Sequence, residues 1–288
     1  MVPERIPIEV SRFEIAIDPQ ICNRDGYCVR SCAWGVFRQA EPMTVPEVAF
    51  PENCVLCGHC QAVCPENALD HSGLNQENFP SWDPESVFPP EDLITFLRSR
   101  RSIRNYHPRK SVSEHDLLQV LDAARYAPTG CNAQTLEYLV VRDPVLIREL
   151  SLLTLDLFQE LLNPETITSP PSEERKLLAE VSADAGNGSD PIFFNAPVLV
   201  IIHASRNTPC PVEDATLAAM HSLLAAHSLD LGTCLIGNFY KYANQSAAIR
   251  TRLGIPEGNQ ILMSFTLGHP ILSYRKLVER KPLRVEWK

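Results

Sequence analysis

Cys54-Val55-Leu56-Cys57-Gly58-His59-Cys60-Gln61-Ala62-Val63-Cys64-Pro65 decides how the first quarter of the chain is read. Its spacing is C-x2-C-x2-C-x3-C-P. Three thiolates at this spacing wrap the backbone around one iron–sulfur cubane, and the fourth points to a second cluster. Zinc is the competing reading, but zinc usually takes two separated pairs, which this run fits poorly.

Upstream lies Cys22-Asn23-Arg24-Asp25-Gly26-Tyr27-Cys28-Val29-Arg30-Ser31-Cys32-Ala33. The frame is the same with two departures. Asp25 stands where a second cysteine is expected, and Ala33 where proline is expected. By the crossed rule one cluster takes Cys54, Cys57, Cys60 and Cys32. The other takes Cys22, Cys28 and Cys64, with Asp25 as an open fourth position. A carboxylate is a harder ligand than a thiolate. The outcomes are an Asp-ligated four-iron cluster, a three-iron cluster, a cluster with a labile iron, or an empty corner with Asp25 solvated.

Composition narrows the class. Hydrophobic residues make up 44% of 288 residues and charged residues 21%, as in globular proteins. The net charge of −9 argues against a general nucleic-acid binder, which needs a basic face. No run approaches the ~20 apolar residues of a membrane helix. The opening MVPERIPIEVSRFEI has no apolar signal-peptide core, so a cytoplasmic location is expected. Seven of the ten cysteines fall between Cys22 and Cys64, which under reducing conditions reads as metal ligation.

Three zones follow: a Cys-rich domain over 1–75, a proline-rich linker over 76–92, and an α+β domain over 93–288. In the last, Ser113-x-x-Asp116 resembles a capping box opening a helix through Ala124. That helix ends at Ala127-Pro128-Thr129-Gly130. Glu137 to Val141 reads as a strand, and Asp143-Pro144 as the start of a helix. Residues 163–191 read as an exposed excursion or lid. Pro197 to Ala204 is a buried strand. Residues 212–230 form a central helix, with Gly232 near its C-terminal cap. Ile261 to Gly268 is a further strand. Cys131 reads as a small buried thiol, Cys234 as core, and His221 and His227 as satisfied core histidines.

Residues 1–75 resemble the bacterial two-cluster ferredoxin module, with Ile17-Asp18 and Pro65-Glu66-Asn67-Ala68-Leu69 matching its flanks. So short a segment buries little apolar surface, so its clusters act as staples coupled to folding. Arg100-Arg101-Ser102-Ile103-Arg104-Asn105-Tyr106 suits a phosphate and a polar ring edge. Ala124 to Gln134 (ARYAPTGCNAQ) follows, then Asn195-Ala-Pro-Val-Leu-Val, Leu231 to Gly237, Leu267-Gly-His-Pro270 and a basic Arg275–Lys281. In this order they resemble the nitroreductase family of FMN-dependent enzymes. The implied fold is an α+β sandwich, a central mixed sheet flanked by helices.

The resemblance implies roles residue by residue. Arg100, Arg101, Ser102 and Arg104 hold FMN. Pro128, Thr129, Gly130 and Asn132 approach it from the other protomer of a homodimer. Ile236, Gly237 and Asn238 lie near the reactive ring edge, and Arg280 and Lys281 are phosphate candidates. Thr135-Leu136 replaces the common Pro-Trp, which leaves the substrate shape open. The expected protein is a flavin oxidoreductase fed by two iron–sulfur clusters. It reduces a nitroaromatic, a quinone or another electron-poor small molecule. The donor is a ferredoxin-like protein or NAD(P)H; neither nucleic acid nor membrane is a partner. Two alternatives stay open. One is a non-catalytic electron-transfer or redox-sensing protein. The other is a flavin enzyme of the same fold performing dehydrogenation, dehalogenation or flavin fragmentation.

Overall fold

The computed structural model describes residues 13–83, 85, 87–163, 171–184 and 190–288. The chain divides into two compact units. The first comprises residues up to Val87 together with Cys131–Ala133, and the second Phe88–Gly130 with Gln134–Lys288.

The first unit is built from short pieces. Strand β1 (Ile15–Ile17) pairs antiparallel with β4 (Leu69–His71), placing Ile15 opposite His71 and Ile17 opposite Leu69. Strand β2 (Phe37–Arg38) pairs with β3 (Glu47–Val48). Helices α1 (Tyr27–Ser31) and α2 (His59–Ala62) are one turn each. Both open on a left-handed glycine, Gly26 at φ 68° and Gly58 at φ 73°. A side chain there would be strained, so glycine lets each loop turn sharply between the cysteines. Val36, Phe37 and Leu69 form the buried apolar core, with Cys28, Cys32, Cys54 and Cys60 packed against it.

The second unit is organised by β6 (Val198–Ser205), a strand buried on both faces. Alternation sends Leu199 and Ile201 to one face and Val198, Val200, Ile202 and Ala204 to the other. On the first side lie α5 (Pro144–Leu162), α8 (Gly237–Ala243) and α9 (Ala247–Leu253), contributing Phe158, Phe239 and Ile249. On the second lie α4 (Glu114–Arg125) and α7 (Pro211–Ser228). The buried alanines of α7, Ala215, Ala218, Ala219 and Ala226, let it pack closely on its neighbours. Helix α3 (Pro90–Ser99) starts on a proline, whose missing N–H costs nothing in the first turn, so the expected linker overlaps this helix. As expected, the Ser113 side chain caps α4 and that of Asp143 caps α5.

The sheet has the order β5–β6–β8–β7, with β5 at Glu137–Val141, β7 at Gly232–Leu235 and β8 at Asn259–Gly268. The expected mixed sheet is corrected: every adjacent strand pair is antiparallel. Strands β6 and β7 flank α7 in sequence and run parallel, but β8 inserts between them. Among the described residues, parallel pairing is confined to the isolated bridge Ser102–Thr233. The Leu229 amide closes α7, with Gly232 near that cap as expected. Gly232 starts β7, where a Cβ would sit 2.7 Å from Ile103, so glycine admits that side chain. Within 163–191 the structure shows α6 (Ser172–Asp184), anchored by buried Leu178 and by Glu174 bonded to Lys241 and Tyr242. Residues 164–170 and 185–189 lie outside the described residues.

Candidate functional site

The cysteines line two separate cavities in the first unit. One is lined by Cys32, Cys54, Cys57 and Cys60, with Trp34, Val36 and His71. The other is lined by Cys22, Cys28 and Cys64, with Asp25 and Gly26. Thus Cys32, from the upstream run, sits with the downstream cysteines, and Cys64 with the upstream ones. Among the described residues no three His, Cys, Asp or Glu converge tightly enough to hold one metal ion. A cysteine-rich rim around a cavity fits a multi-iron cluster better than a single ion.

Several sulfurs already accept backbone amides. Cys22 Sγ accepts from Arg24, Cys32 Sγ from Val36, Cys54 Sγ from Leu56 and Cys64 Sγ from Ala68, at 3.3–3.4 Å. Burial pushes the Cys60 thiol up to about 11, and the nearby Cys54, Cys57 and Cys32 add to it. A positively charged cluster core would reverse that penalty. In the second cavity Asp25 Oδ1 accepts the Tyr27 amide, while its Oδ2 is buried without a hydrogen-bond partner. An orphaned carboxylate oxygen beside three cysteines fits a metal-facing position.

In the second unit the expected phosphate-binding run lies along the edge of the sheet. Ser102 bridges Thr233, and the Ile103 amide donates to the Thr233 carbonyl at 2.9 Å. Strand β7 runs directly into Ile236-Gly237-Asn238 at the start of α8. Two motifs more than 130 residues apart therefore share one strand. The α8 N-terminus has no side-chain cap. Its first amides are orphan donors.

The arginines carry the charge. Arg100 Nη1 and Arg101 Nε are buried and unpartnered. Burial lowers the Arg100 pKa, and the Arg101 and Arg280 charges lower it further. A half-buried guanidinium beside like charges calls for an anion. Arg104 lies 5.6 Å from the Phe194 ring centroid, and its charge acts on the buried Cys234. Lys281, next to Arg280, is exposed.

The remaining predicted residues have other partners. The Gly130 amide donates to Asp214 Oδ1 at 2.9 Å, and Thr129 Oγ1 accepts from the Gln134 amide. Pro128 is exposed. Asn132 groups with the first unit, where its Nδ2 donates to the Val55 carbonyl at 2.9 Å. Beside Thr129 and Gln134, a groove of about 680 Å3 opens over Leu118, Leu121, Leu136 and Tyr138. Cys131 is exposed rather than buried, because its backbone is left-handed in a short surface turn. Cys234 is buried. His221 and His227 are partnered by the Ala123 carbonyl and Ser99 Oγ.

His71 went unnoticed in the sequence. It is 1% exposed on β4, and its Nε2 lies 3.4 Å from Cys54 Sγ. Strand alternation would have found it. Leu69 and His71 face inward and Asp70 outward.

Two cysteine-lined cavities in one unit, and buried arginine nitrogens at the edge of an α+β sandwich in the other, define the class: a two-unit redox protein. Comparison with known proteins gives the family. The nitroreductase family model matches residues 97–269 and the 4Fe-4S dicluster domain model residues 11–68. The chain belongs to the nitroreductase family and carries an N-terminal dicluster domain. It is 28% identical over 180 residues to an Archaeoglobus fulgidus protein provisionally named NADH dehydrogenase/NAD(P)H nitroreductase. That match covers 62% of this chain and 86% of the relative. Over 68 residues it is 29% identical to a 7Fe ferredoxin from Hydrogenibacillus schlegelii, covering 24% of this chain and 83% of the ferredoxin. The fold is shared with a nitroreductase with bound FMN from Desulfitobacterium hafniense. That likeness has a TM-score of 0.54 and 21% identity, over 69% of this chain and all of the other. Among the described residues no helix is long and apolar enough to cross a membrane.

Proposed function

We propose that the chain is an FMN-dependent oxidoreductase fed by its own iron–sulfur clusters. It reduces a nitroaromatic, a quinone or another electron-poor small molecule, with electrons from a ferredoxin-like protein or NAD(P)H. The observation that carries this reading is the buried, unpartnered Arg100 Nη1 and Arg101 Nε, on a strip bonded to β7 beside the uncapped start of α8. When bound, FMN supplies two-electron chemistry and the clusters one-electron transfer.

Arg100, Arg101 and Arg280 would bind the phosphate by charge-assisted hydrogen bonds. Ser102 and Arg104 would orient the ribityl chain and pyrimidine edge, and Ile236, Gly237 and Asn238 would offer backbone donors to the ring. Pro128, Thr129, Gly130 and Asn132 would act on the partner's site in a homodimer, and Lys281 would add charge near the phosphate. The dimer reading is supported by exposed apolar side chains in the C-terminal segment, with Leu283 and Trp287 each 91% exposed. One cluster would be held by Cys54, Cys57, Cys60 and Cys32, the other by Cys22, Cys28, Cys64 and Asp25. Residues 1–75 would form the cluster domain, 76–92 the linker and 93–288 the flavin domain, in a reducing cytoplasm.

The test is anaerobic turnover of the full chain with NADH, NADPH or reduced ferredoxin, against a nitroaromatic and a quinone. The expected result is FMN-dependent turnover that falls tenfold or more in Arg104→Ala. Protein that neither retains nor binds FMN contradicts the reading.

A further inference from the structure

The sulfurs of the first unit accept backbone amides in both cavities, but Cys54 Sγ has a second neighbour of a different kind. Its partner is His71 Nε2 at 3.4 Å. The imidazole is fixed on three sides. Gly73 donates its amide to His71 Nδ1 at 3.1 Å, so Nδ1 is the bare nitrogen and the hydrogen sits on Nε2. The Phe13 ring stacks on the imidazole with centroids 4.7 Å apart. A Cβ on Gly73 would meet the imidazole at 3.2 Å and Leu56 at 2.9 Å, so residue 73 leaves room for this arrangement. The ring lines the cavity of Cys32, Cys54, Cys57 and Cys60 and is shut off from solvent. Among the described residues, no cysteine of the second cavity has a side-chain donor on its sulfur.

We propose that His71 is a positioning residue that sets the potential of the cluster held by Cys54. Its Nε2–H bonds the Cys54 sulfur and raises that cluster's reduction potential above what the backbone amides alone would give. A hydrogen bond to a thiolate ligand strengthens as the cluster gains negative charge, so it favours the reduced state. One electron enters the cluster from a one-electron reductant, no proton is transferred, and Nε2 keeps its hydrogen in both states. This rests on the reading that Cys54 ligates a cluster, and it makes the two cavities electrically unequal.

The test is a redox titration of the full chain with dithionite, followed by EPR, in wild type, His71→Phe and His71→Gln. Iron and sulfide are counted in each. In His71→Phe one midpoint should move to more negative potential, with about a tenfold change in the oxidised-to-reduced ratio at fixed potential. That is about 59 mV for one electron. The other midpoint should stay, and His71→Gln, which keeps an N–H donor, should recover part of the shift. Unchanged midpoints in a fully loaded His71→Phe overturn the proposal. If neither variant retains the cluster, 15N-histidine-labelled protein carrying His59→Asn is measured by pulsed EPR. A histidine nitrogen coupling at the reduced cluster supports the proposal, and its absence overturns it. Wild type lacking iron and sulfide overturns the ligation reading itself, and the proposal with it.

Discussion

The two units of this chain solve the same problem with different materials. Among the described residues, the core of the first is Val36, Phe37 and Leu69, with Ile15, Ile17, Val29, Val48 and four cysteines packed against it. The second sandwiches a sheet between two apolar layers, with Phe158, Phe193, Phe239 and Phe265 fully buried. A core as small as the first cannot offset the entropy of ordering its chain. Metal–thiolate bonds would supply what the apolar surface does not, so folding and cluster binding would be one event there. The second unit holds its shape through burial and would need its cofactor only for chemistry.

The largest expected effect breaks this contrast directly. Stripping iron with a chelator under reducing conditions should unfold the first unit and leave the second folded. Hydrogen exchange should show protection lost over 13–75 and kept on β6 and β8. Equal protection in both regions would mean the apolar core of the first unit suffices alone. Next, Phe158→Ala should cost the second unit about 3–5 kcal/mol in chemical denaturation, as cavities at fully buried aromatics do. The iron content should not change. Arg100→Ala should weaken FMN binding by about 1.5–3 kcal/mol, the value of a charge-assisted hydrogen bond, with the fold intact by circular dichroism. Unchanged affinity in a titration would remove Arg100 from the site. Smallest, Ser113→Ala should cost about 1 kcal/mol by removing the cap from α4. Cofactor content should be untouched.

Local chemistry made much of this legible in the sequence. The cap at Ser113, the Asp143-Pro144 start, the buried strand at 197–204 and the cysteine spacing are each set by neighbouring residues. What needed the fold was long-range. The partition of Cys32 and Cys64 between cavities followed from the crossed spacing, but the buried, unpartnered oxygen of Asp25 did not. The helix before it places Gly232 near a helix cap; that its small size serves Ile103, far off in sequence, needed the fold. The mixed sheet is what the family resemblance implies, and the insertion of β8 between β6 and β7 depends on the last strand. His71 escaped notice because a lone histidine carries no motif; only its pairing across β1 and β4 brings it to Cys54.

The account stands most directly on a count of iron, acid-labile sulfide and FMN per chain in protein purified without oxygen. It predicts about seven or eight irons, a matching amount of sulfide, and one FMN, with flavin bands over a broad cluster shoulder. A chain that carries zinc, or neither iron nor flavin, after anaerobic reconstitution would contradict it.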